Sequence, residues 1–134
     1  MVFVTRRETF SASHRLYNPE LTDERNVELF DKCANPHGHG HNYVLEITVA
    51  GEPKDETGYV IDLKTLKEVI RREVISKVDH KHLNYDVDFL KDVIPTSENI
   101  AKAFWDILKD KVGGARLYSV RLQETENNSV EYKG

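Results

Sequence analysis

The chain has 134 residues, which is enough for a single hydrophobic core, and we expect one domain over residues 1–134. Its 19 Lys and Arg against 23 Asp and Glu give a net charge of −4, so no overall positive field attracts nucleic acid. No apolar run approaches the roughly 20 residues that a membrane-spanning helix needs. The single cysteine, Cys33, cannot form an intrachain disulfide. We therefore expect a cytoplasmic protein that binds neither nucleic acid nor membranes.

The N-terminal half predicts strands on either side of a long irregular segment. Val, Phe and Thr are frequent in the first residues and predict a strand that runs to about His14. Residues 17–41 have no sustained period, and long segments of this kind are often functional in compact domains. Alternating apolar residues over 43–49 predict a half-buried strand, and a short strand is expected at 59–61.

Two amphipathic helices are predicted in the middle of the chain. Asp62 can cap the first, whose apolar residues recur at helical spacing as far as Val78. The second begins near Thr96 or Ser97 and is expected to end at Gly113-Gly114. Strands and helices in this order predict an α+β fold in which the helices cover one face of an antiparallel sheet.

A β-hairpin is predicted at the C-terminus. Residues 117–125 have the composition of a strand, and a period of two puts Tyr118, Val120 and Leu122 on its buried face. Asn127-Asn128 can supply a positive-φ turn into the returning strand. A sheet of this size leaves its edge strands unpaired, so we expect the chain to form an oligomer.

Three of the six histidines lie in the segment Pro36–His41. If this segment leads directly into the strand that follows, His39 and His41 lie two residues apart and share one face. Two imidazoles supply two of the three protein ligands of an open zinc site. Spacing does not choose the third ligand, for which the candidates are His14, His37, Cys33, His80 and His82.

Two other interpretations of the histidine run are open. It can be a surface turn, because histidine is also an ordinary surface residue. It can also belong to a structural zinc site that combines Cys33 with His37. The second is weaker, because structural zinc sites are usually closed by four ligands with more than one thiolate.

Five segments of the sequence together resemble the 6-pyruvoyl-tetrahydropterin synthases of tetrahydrobiopterin biosynthesis. In chain order they are Phe10–Leu16, Lys32–Tyr43, Asp79–Asn84, Thr96–Asn99 and Gln123–Thr125. The resemblance covers nearly the whole chain in the right order. It implies a lyase that converts 7,8-dihydroneopterin triphosphate to 6-pyruvoyl-tetrahydropterin and expels triphosphate.

The resemblance also implies roles for individual residues. His14, His39 and His41 are expected to bind Zn²⁺. Cys33 is expected to be the catalytic base, and the pair Asp79-His80 to complete a proton relay with it.

Further roles concern the substrate and the assembly. By the same resemblance Glu124 holds the pterin ring and can join the relay. Thr96 and Ser97 lie at a predicted helix N-terminus, where backbone N–H groups can turn towards the carbonyl oxygen of the ring. The subunit is expected to be a T-fold, a four-stranded antiparallel sheet with two helices on one face. Such subunits would form barrel-shaped trimers and then a homohexamer, a dimer of trimers, with active sites at subunit interfaces.

Each of these residues also has a purely structural interpretation. Cys33 can be a buried small hydrophobe, although the polar residues around it favour an exposed position. Asp79-His80 can simply end a helix, Glu124 can be a solvated residue at the end of a strand, and Thr96 or Ser97 can cap a helix.

Two departures and two alternative functions complete the prediction. His37 stands where the animal enzymes typically have Asn, and Asp31 stands where they tend to have Gly. A related 6-carboxy-5,6,7,8-tetrahydropterin synthase of queuosine and deazapurine biosynthesis uses the same substrate, but the five residues between Cys33 and His39 favour the pyruvoyl type. A non-catalytic zinc-binding protein would use the histidines and have no need of Cys33, Asp79 or Glu124.

Overall fold

A computed structural model describes residues 1–134 and contains one five-stranded sheet with the strand order β3-β1-β2-β4-β5. The strands are β1 (Val2–His14), β2 (His39–Gly51), β3 (Lys81–His82), β4 (Arg116–Thr125) and β5 (Asn128–Tyr132). All neighbours are antiparallel except β1 and β3, which are parallel. The predicted α+β class is confirmed. The predicted count of four strands is wrong, because the two-residue strand β3 is too short to produce a period in the sequence.

Four α-helical segments accompany the sheet. They are α1 (Asp23–Phe30), α2 (Leu63–Ile70), α3 (Ser76–Val78) and α4 (Ser97–Leu108). A π-helical turn over Arg71–Ile75 joins α2 to α3, so residues 63–78 form the one continuous helix that the sequence predicts. None of the helices has both the length and the apolar composition that crossing a membrane requires.

The ends of the two long helices follow from their caps. The Asp62 side chain accepts a hydrogen bond from the Lys64 N–H, and Thr96 accepts one from the Asn99 N–H. Thr96 is therefore the N-cap of α4. The helix ends at Leu108, before the predicted Gly113-Gly114, because the chain tightens there into a turn in which the Lys111 N–H bonds to the Leu108 carbonyl.

Both long helices pack on the same face of the sheet, as predicted. A cluster of 22 buried apolar residues fills the space between them and the strands. Its members include Leu45, Ile47, Val120, Leu66, Ile70, Ile100 and Phe104. Removal of such side chains from water contributes about 1.5–3 kcal/mol each. The opposite sheet face is polar, with hydrogen-bonded pairs such as Ser11–Asn42 and Arg121–Glu46.

Two segments differ from the prediction in secondary structure. Helix α1 lies inside the expected irregular segment, where Val27 and Leu29 are exposed and Asn26 is the buried residue. Its sequence therefore lacks the apolar stripe that predicts a helix. Residues 59–61 do not form a strand, because the Tyr59 carbonyl closes a local turn with the Lys54 N–H.

The C-terminal hairpin exists, but its details differ from the prediction. A β-bulge in the β2–β4 pairing moves Tyr118 to the polar face, where its ring contacts Phe3 at 4.6 Å between centroids. Val120 and Leu122 remain in the core, as predicted. The hairpin turn lies at residues 126–127, and none of its residues has positive φ; the Thr125 hydroxyl accepts from the Asn127 N–H instead.

Asp31, which ends α1, adopts φ 49° and ψ −126°. This is far from the left-handed helical well at about ψ +47°, and a side chain there costs on the order of 1–3 kcal/mol. Glycine has no Cβ and tolerates such angles, although it loses about 0.5–1 kcal/mol through its freer unfolded state.

We therefore predict that Asp31→Gly raises the free energy of unfolding by about 1 kcal/mol, which corresponds to a rise in Tm of roughly 3 °C for a domain of this size. Asp31→Ala keeps the Cβ and serves as the control in thermal unfolding at equal metal content. Equal Tm values for the two variants would contradict strain at this position.

Candidate metal centre

Three histidines meet where β1 ends and β2 begins. In the antiparallel register His14 pairs with His39 and Ala12 pairs with His41, and side-chain alternation then puts all three imidazoles on the helix-covered face. One ligand nitrogen from each lies within 4.8 Å of the others, so the three are positioned to hold a metal ion. Spacing left the third member open and the family resemblance implied His14, which is the residue that the structure brings to the cluster. His37, Cys33, His80 and His82 are not part of this cluster.

His14 is held in the orientation that a metal ligand needs. Its side chain is 1% exposed, and its Nδ1 lies 2.8 Å from the Pro95 carbonyl oxygen. A carbonyl only accepts, so Nδ1 carries the proton and Nε2 keeps its lone pair. That Nε2 lies 3.1 Å from Nε2 of His39. Two nitrogens bonded to one tetrahedral zinc at about 2.0–2.1 Å would lie roughly 3.3 Å apart, so the observed spacing fits a shared ion.

His41 provides an independent sign that an ion belongs here. Its Nε2 is buried and has no hydrogen-bond partner. Glu124 Oε1 lies 3.3 Å away, but not in the geometry of a hydrogen bond. A buried polar atom without a partner costs about 1–3 kcal/mol, and a metal at this point would remove that cost. Burial also lowers the pKa of His14 and of His41, which favours the neutral imidazole that binds metal.

Gly38 makes the approach of the two strands possible at this end. It has φ +72°, and a Cβ built on it would lie 2.6 Å from the His14 carbonyl oxygen. No other residue fits there without moving the backbone that carries the first metal ligand. The glycine between His37 and His39 is thus a packing requirement of the cluster.

Glu124 lies at the edge of the histidine cluster and is held by Ser97. The Ser97 hydroxyl donates to Glu124 Oε2 at 2.6 Å, which leaves Oε1 beside His41. Ser97 is 7% exposed, so its hydroxyl contacts this carboxylate and not solvent. Of the two residues predicted to bind the ring, Thr96 uses its side chain as the helix cap.

Asp79 and His80 lie at the edge of the sheet, beside Ser11 of β1. Asp79 Oδ1 accepts the Ser11 N–H at 2.9 Å and lies 3.1 Å from His80 Nδ1. The hydrogen bond from Ser11 lowers the pKa of Asp79 below its usual value. The His80 ring is 82% exposed and lines a groove of about 380 Å³ together with Ser11, Ser13, Asn42 and His41. Neither Asp79 nor His80 belongs to the group of three histidines that could hold a metal.

Cys33 is carried by a 3-10 turn over Asp31–Ala34 that follows α1. Its side chain is half-buried, whereas the neighbouring Ala34 is the residue that is buried. The Cys33 carbonyl accepts the Leu16 N–H at 2.8 Å. The turn that carries the thiol is therefore hydrogen-bonded to Leu16, two residues after His14, and the thiol is not fully buried in the core.

Two residues near the cluster were not found by sequence reasoning. The Tyr43 hydroxyl lies 3.4 Å from His14 Nδ1, and burial raises the pKa of this phenol. Its position on the face of His39 and His41 followed from the period of β2. The contact of the Pro95 carbonyl with His14 could not be predicted, because a backbone group 81 residues from His14 leaves no pattern in the sequence.

Comparisons with known proteins identify the family of the chain. Residues 3–134 match the family model described as 6-pyruvoyl tetrahydropterin synthase. The human 6-pyruvoyl tetrahydrobiopterin synthase is 48% identical over 131 residues, covering 98% of this chain and 90% of the relative. The structure of the Caenorhabditis elegans 6-pyruvoyl tetrahydropterin synthase superposes with a TM-score of 0.94 at 42% identity, covering 99% and 95% of the two chains. A 6-carboxy-5,6,7,8-tetrahydropterin synthase from Aquifex aeolicus is 32% identical over 92% of this chain and 93% of the relative. The chain belongs to the 6-pyruvoyl tetrahydropterin synthase family.

Proposed function

We propose that the chain is a zinc-dependent lyase that converts 7,8-dihydroneopterin triphosphate to 6-pyruvoyl-tetrahydropterin with elimination of triphosphate. The observation that carries the proposal is the partnerless Nε2 of His41, buried in a cluster of three histidines beside the Glu124 carboxylate. Three imidazoles with an adjacent carboxylate suit an open catalytic metal site better than a closed structural one. The relatives named 6-pyruvoyl tetrahydrobiopterin synthase support the same substrate and product.

The metal in this proposal is Zn²⁺, held by His14, His39 and His41. When bound, it supplies Lewis acidity for the hydroxyl oxygens of the substrate side chain. The protein contributes the orientation of the ligands through the Pro95 carbonyl and the exclusion of water from His14. Partners of this kind around metal-binding histidines fix the tautomer and raise basicity.

The proton transfers are assigned to side chains of the protein. The reaction removes a proton from a carbon beside a hydroxyl, returns a proton to the ring and expels triphosphate, with no outside reductant. Cys33 as thiolate takes the first proton, and the pair Asp79-His80 relays protons to and from it. Glu124, whose Oε2 is occupied by Ser97, offers Oε1 to the substrate or to the relay.

Homo-oligomerisation would join the two halves of this site. His80 is exposed beside the edge strand β3 and lies outside the group of three histidines, and we propose that a second copy brings the pair Asp79-His80 of one chain to the cluster of another. Both sheet edges are available for pairing, because β3 covers only Ala12 and Ser13 of β1, and β5 has no outer neighbour. We propose barrel-forming T-fold trimers that stack into a hexamer, with the pterin bound at the seams.

The same site could make 6-carboxy-5,6,7,8-tetrahydropterin, the product named for the Aquifex aeolicus relative. Incubation of zinc-loaded protein with 7,8-dihydroneopterin triphosphate, followed by mass analysis, separates the two products. A mass equal to 6-pyruvoyl-tetrahydropterin supports the proposal, and a carboxylated product assigns the chain to the alternative. No turnover at all would favour a non-catalytic zinc-binding protein. The thiolate of Cys33 needs a reducing compartment, and we propose the cytoplasm.

Metal content tests the ligand assignment. We predict about one zinc per chain, lost in His14→Ala because that change removes a buried ligand. His37→Ala, a histidine substitution only two residues before His39, should keep the metal because His37 lies outside the cluster. Elemental analysis of both purified variants measures the zinc content. If His37→Ala lost the zinc and His14→Ala kept it, the ligand assignment would be wrong.

Cys33→Ala tests the catalytic base. The thiol is half-buried in a turn and makes no side-chain hydrogen bond, so we expect the fold and the zinc content to be unchanged. Loss of a general base typically lowers kcat on the order of 10²–10⁴-fold. Steady-state kinetics with the triphosphate substrate gives the result. Near-normal kcat would show that another group takes the proton.

Mixed oligomers test the shared site. Cys33→Ala and His80→Ala chains, each inactive alone, are co-expressed with different tags and purified through both. If Cys33 and His80 of one site come from different chains, random assembly leaves about one quarter of the sites intact, and activity returns to that level. If one chain supplied both groups, every site would lack one of them, and the mixed oligomer would stay inactive.

A further inference from the structure

The turn that carries Cys33 is joined to the metal-binding strand by two hydrogen bonds. The Leu16 N–H donates to the Cys33 carbonyl at 2.8 Å, and the Arg15 Nε–H donates to the Ala34 carbonyl at 2.8 Å. Both donors directly follow the metal ligand His14. The geometry of the thiol relative to the metal centre therefore depends on where residues 15 and 16 are held.

Arg15 is held by the side-chain amide of Asn84. Asn84 Oδ1 accepts the Arg15 N–H at 2.8 Å, and Asn84 Nδ2 donates to the Arg15 carbonyl at 2.8 Å. Just before this point, the Leu83 N–H donates to the Ser13 carbonyl at 2.8 Å. The amide thus continues the parallel β1–β3 pairing beyond its last backbone pair, and it satisfies both backbone groups of Arg15.

The Arg15 side chain is fixed on two sides. Its guanidinium carbon lies 3.8 Å above the centre of the Tyr17 ring, while its Nε reaches the Ala34 carbonyl. A guanidinium stacked on an aromatic ring loses much of its rotational freedom, so the hydrogen bond to the Cys33 turn has a defined direction.

We propose that Asn84 and Arg15 are positioning residues that set the Cys33 thiol against the metal centre, an inference that rests on the proposed role of Cys33. Asn84 fixes the backbone of Arg15, and Arg15 fixes the Cys33 turn. The pair touches no reacting atom. Its contribution is alignment, and a misplacement of about 1 Å in a reacting group can cost on the order of 10²-fold in rate.

The two hydrogen bonds between the Asn84 amide and the Arg15 backbone are called the clamp, and Asn84→Ala removes both of them. The control variant is Asp86→Ala. Asp86 Oδ2 accepts the His82 N–H at 3.0 Å, so the control also loses one side-chain to backbone hydrogen bond in the same segment, without contact to Arg15. We expect Asn84→Ala to lower kcat by roughly 10-fold or more with KM within about twofold, because alignment and not binding is lost. Asp86→Ala should stay within about twofold in both.

Alkylation by iodoacetamide provides a readout that does not need turnover. Cys33 is the only cysteine, so mass spectrometry counts its reaction without ambiguity. In Asn84→Ala the Cys33 thiol should react faster at a fixed pH, because the turn that carries it is less firmly held. Asp86→Ala should react like the wild type. Wild-type kcat and a wild-type alkylation rate in Asn84→Ala would overturn the inference.

Two further variants keep the test decisive. Arg15→Ala combined with Asn84→Ala should lose little more kcat than either alone, because both act on one turn; additive losses would contradict a shared role. If Asn84→Ala does not fold, Asn84→Asp keeps the acceptor for the Arg15 N–H, loses the donor to the Arg15 carbonyl, and should show a smaller change of the same kind. Full turnover in Cys33→Ala would refute the proposed base, whereas a changed alkylation rate in Asn84→Ala would still support the clamp.

Discussion

The pairing of β1 with β2 is the constraint on which both the core and the metal centre depend. Thirteen residue pairs run from Val2–Gly51 to His14–His39 in one unbroken register. A slip of one residue would turn every side chain of a strand to the opposite face. Leu45 and Ile47 would then leave the core and His39 and His41 would leave the cluster together. The apolar residues of β2 therefore specify the position of the histidines that could hold a metal, and the hydrophobic free energy that stabilises the register also stabilises this cluster.

A second constraint links the site to α4. The segment that enters this helix supplies the Pro95 carbonyl to His14 and the Ser97 hydroxyl to Glu124. The helix itself is anchored in the core by Ile100 and Phe104, which are fully buried. The start of α4 thus orients both His14 of β1 and the Glu124 carboxylate of β4. Precise placement of functional groups requires such support from a rigid element. Burial of the imidazoles lowers the pKa of His14 and His41, so the same packing that positions them also favours their neutral form.

The sequence predicted those features that a period records. The alternation over 43–49 gave the strand and the shared face of His39 and His41, and the apolar spacing after Asp62 gave the long helix. Helix α1 was missed because it buries Asn26 and exposes its apolar residues, and the face of Tyr118 was wrong because a β-bulge interrupts the alternation. The choice of His14 and the contact of Ser97 with Glu124 join residues far apart in sequence. No local pattern encodes them, so they required the family resemblance or the structure.

The proposed sharing of one site between chains would explain how a small chain can serve a reaction with several proton transfers. A sheet with helices on one side has room for a metal cluster at the end of its covered face, but its polar face is open. His80 lines a groove where β1 meets the short strand β3, and Asp79 accepts the Ser11 N–H beside it. In the proposed assembly the open face and the open edge are removed together, and the pair meets the Cys33 turn of a neighbour. The same contact that covers unpaired backbone groups would then complete the site, so an isolated chain would lack both the stability and the relay of the oligomer.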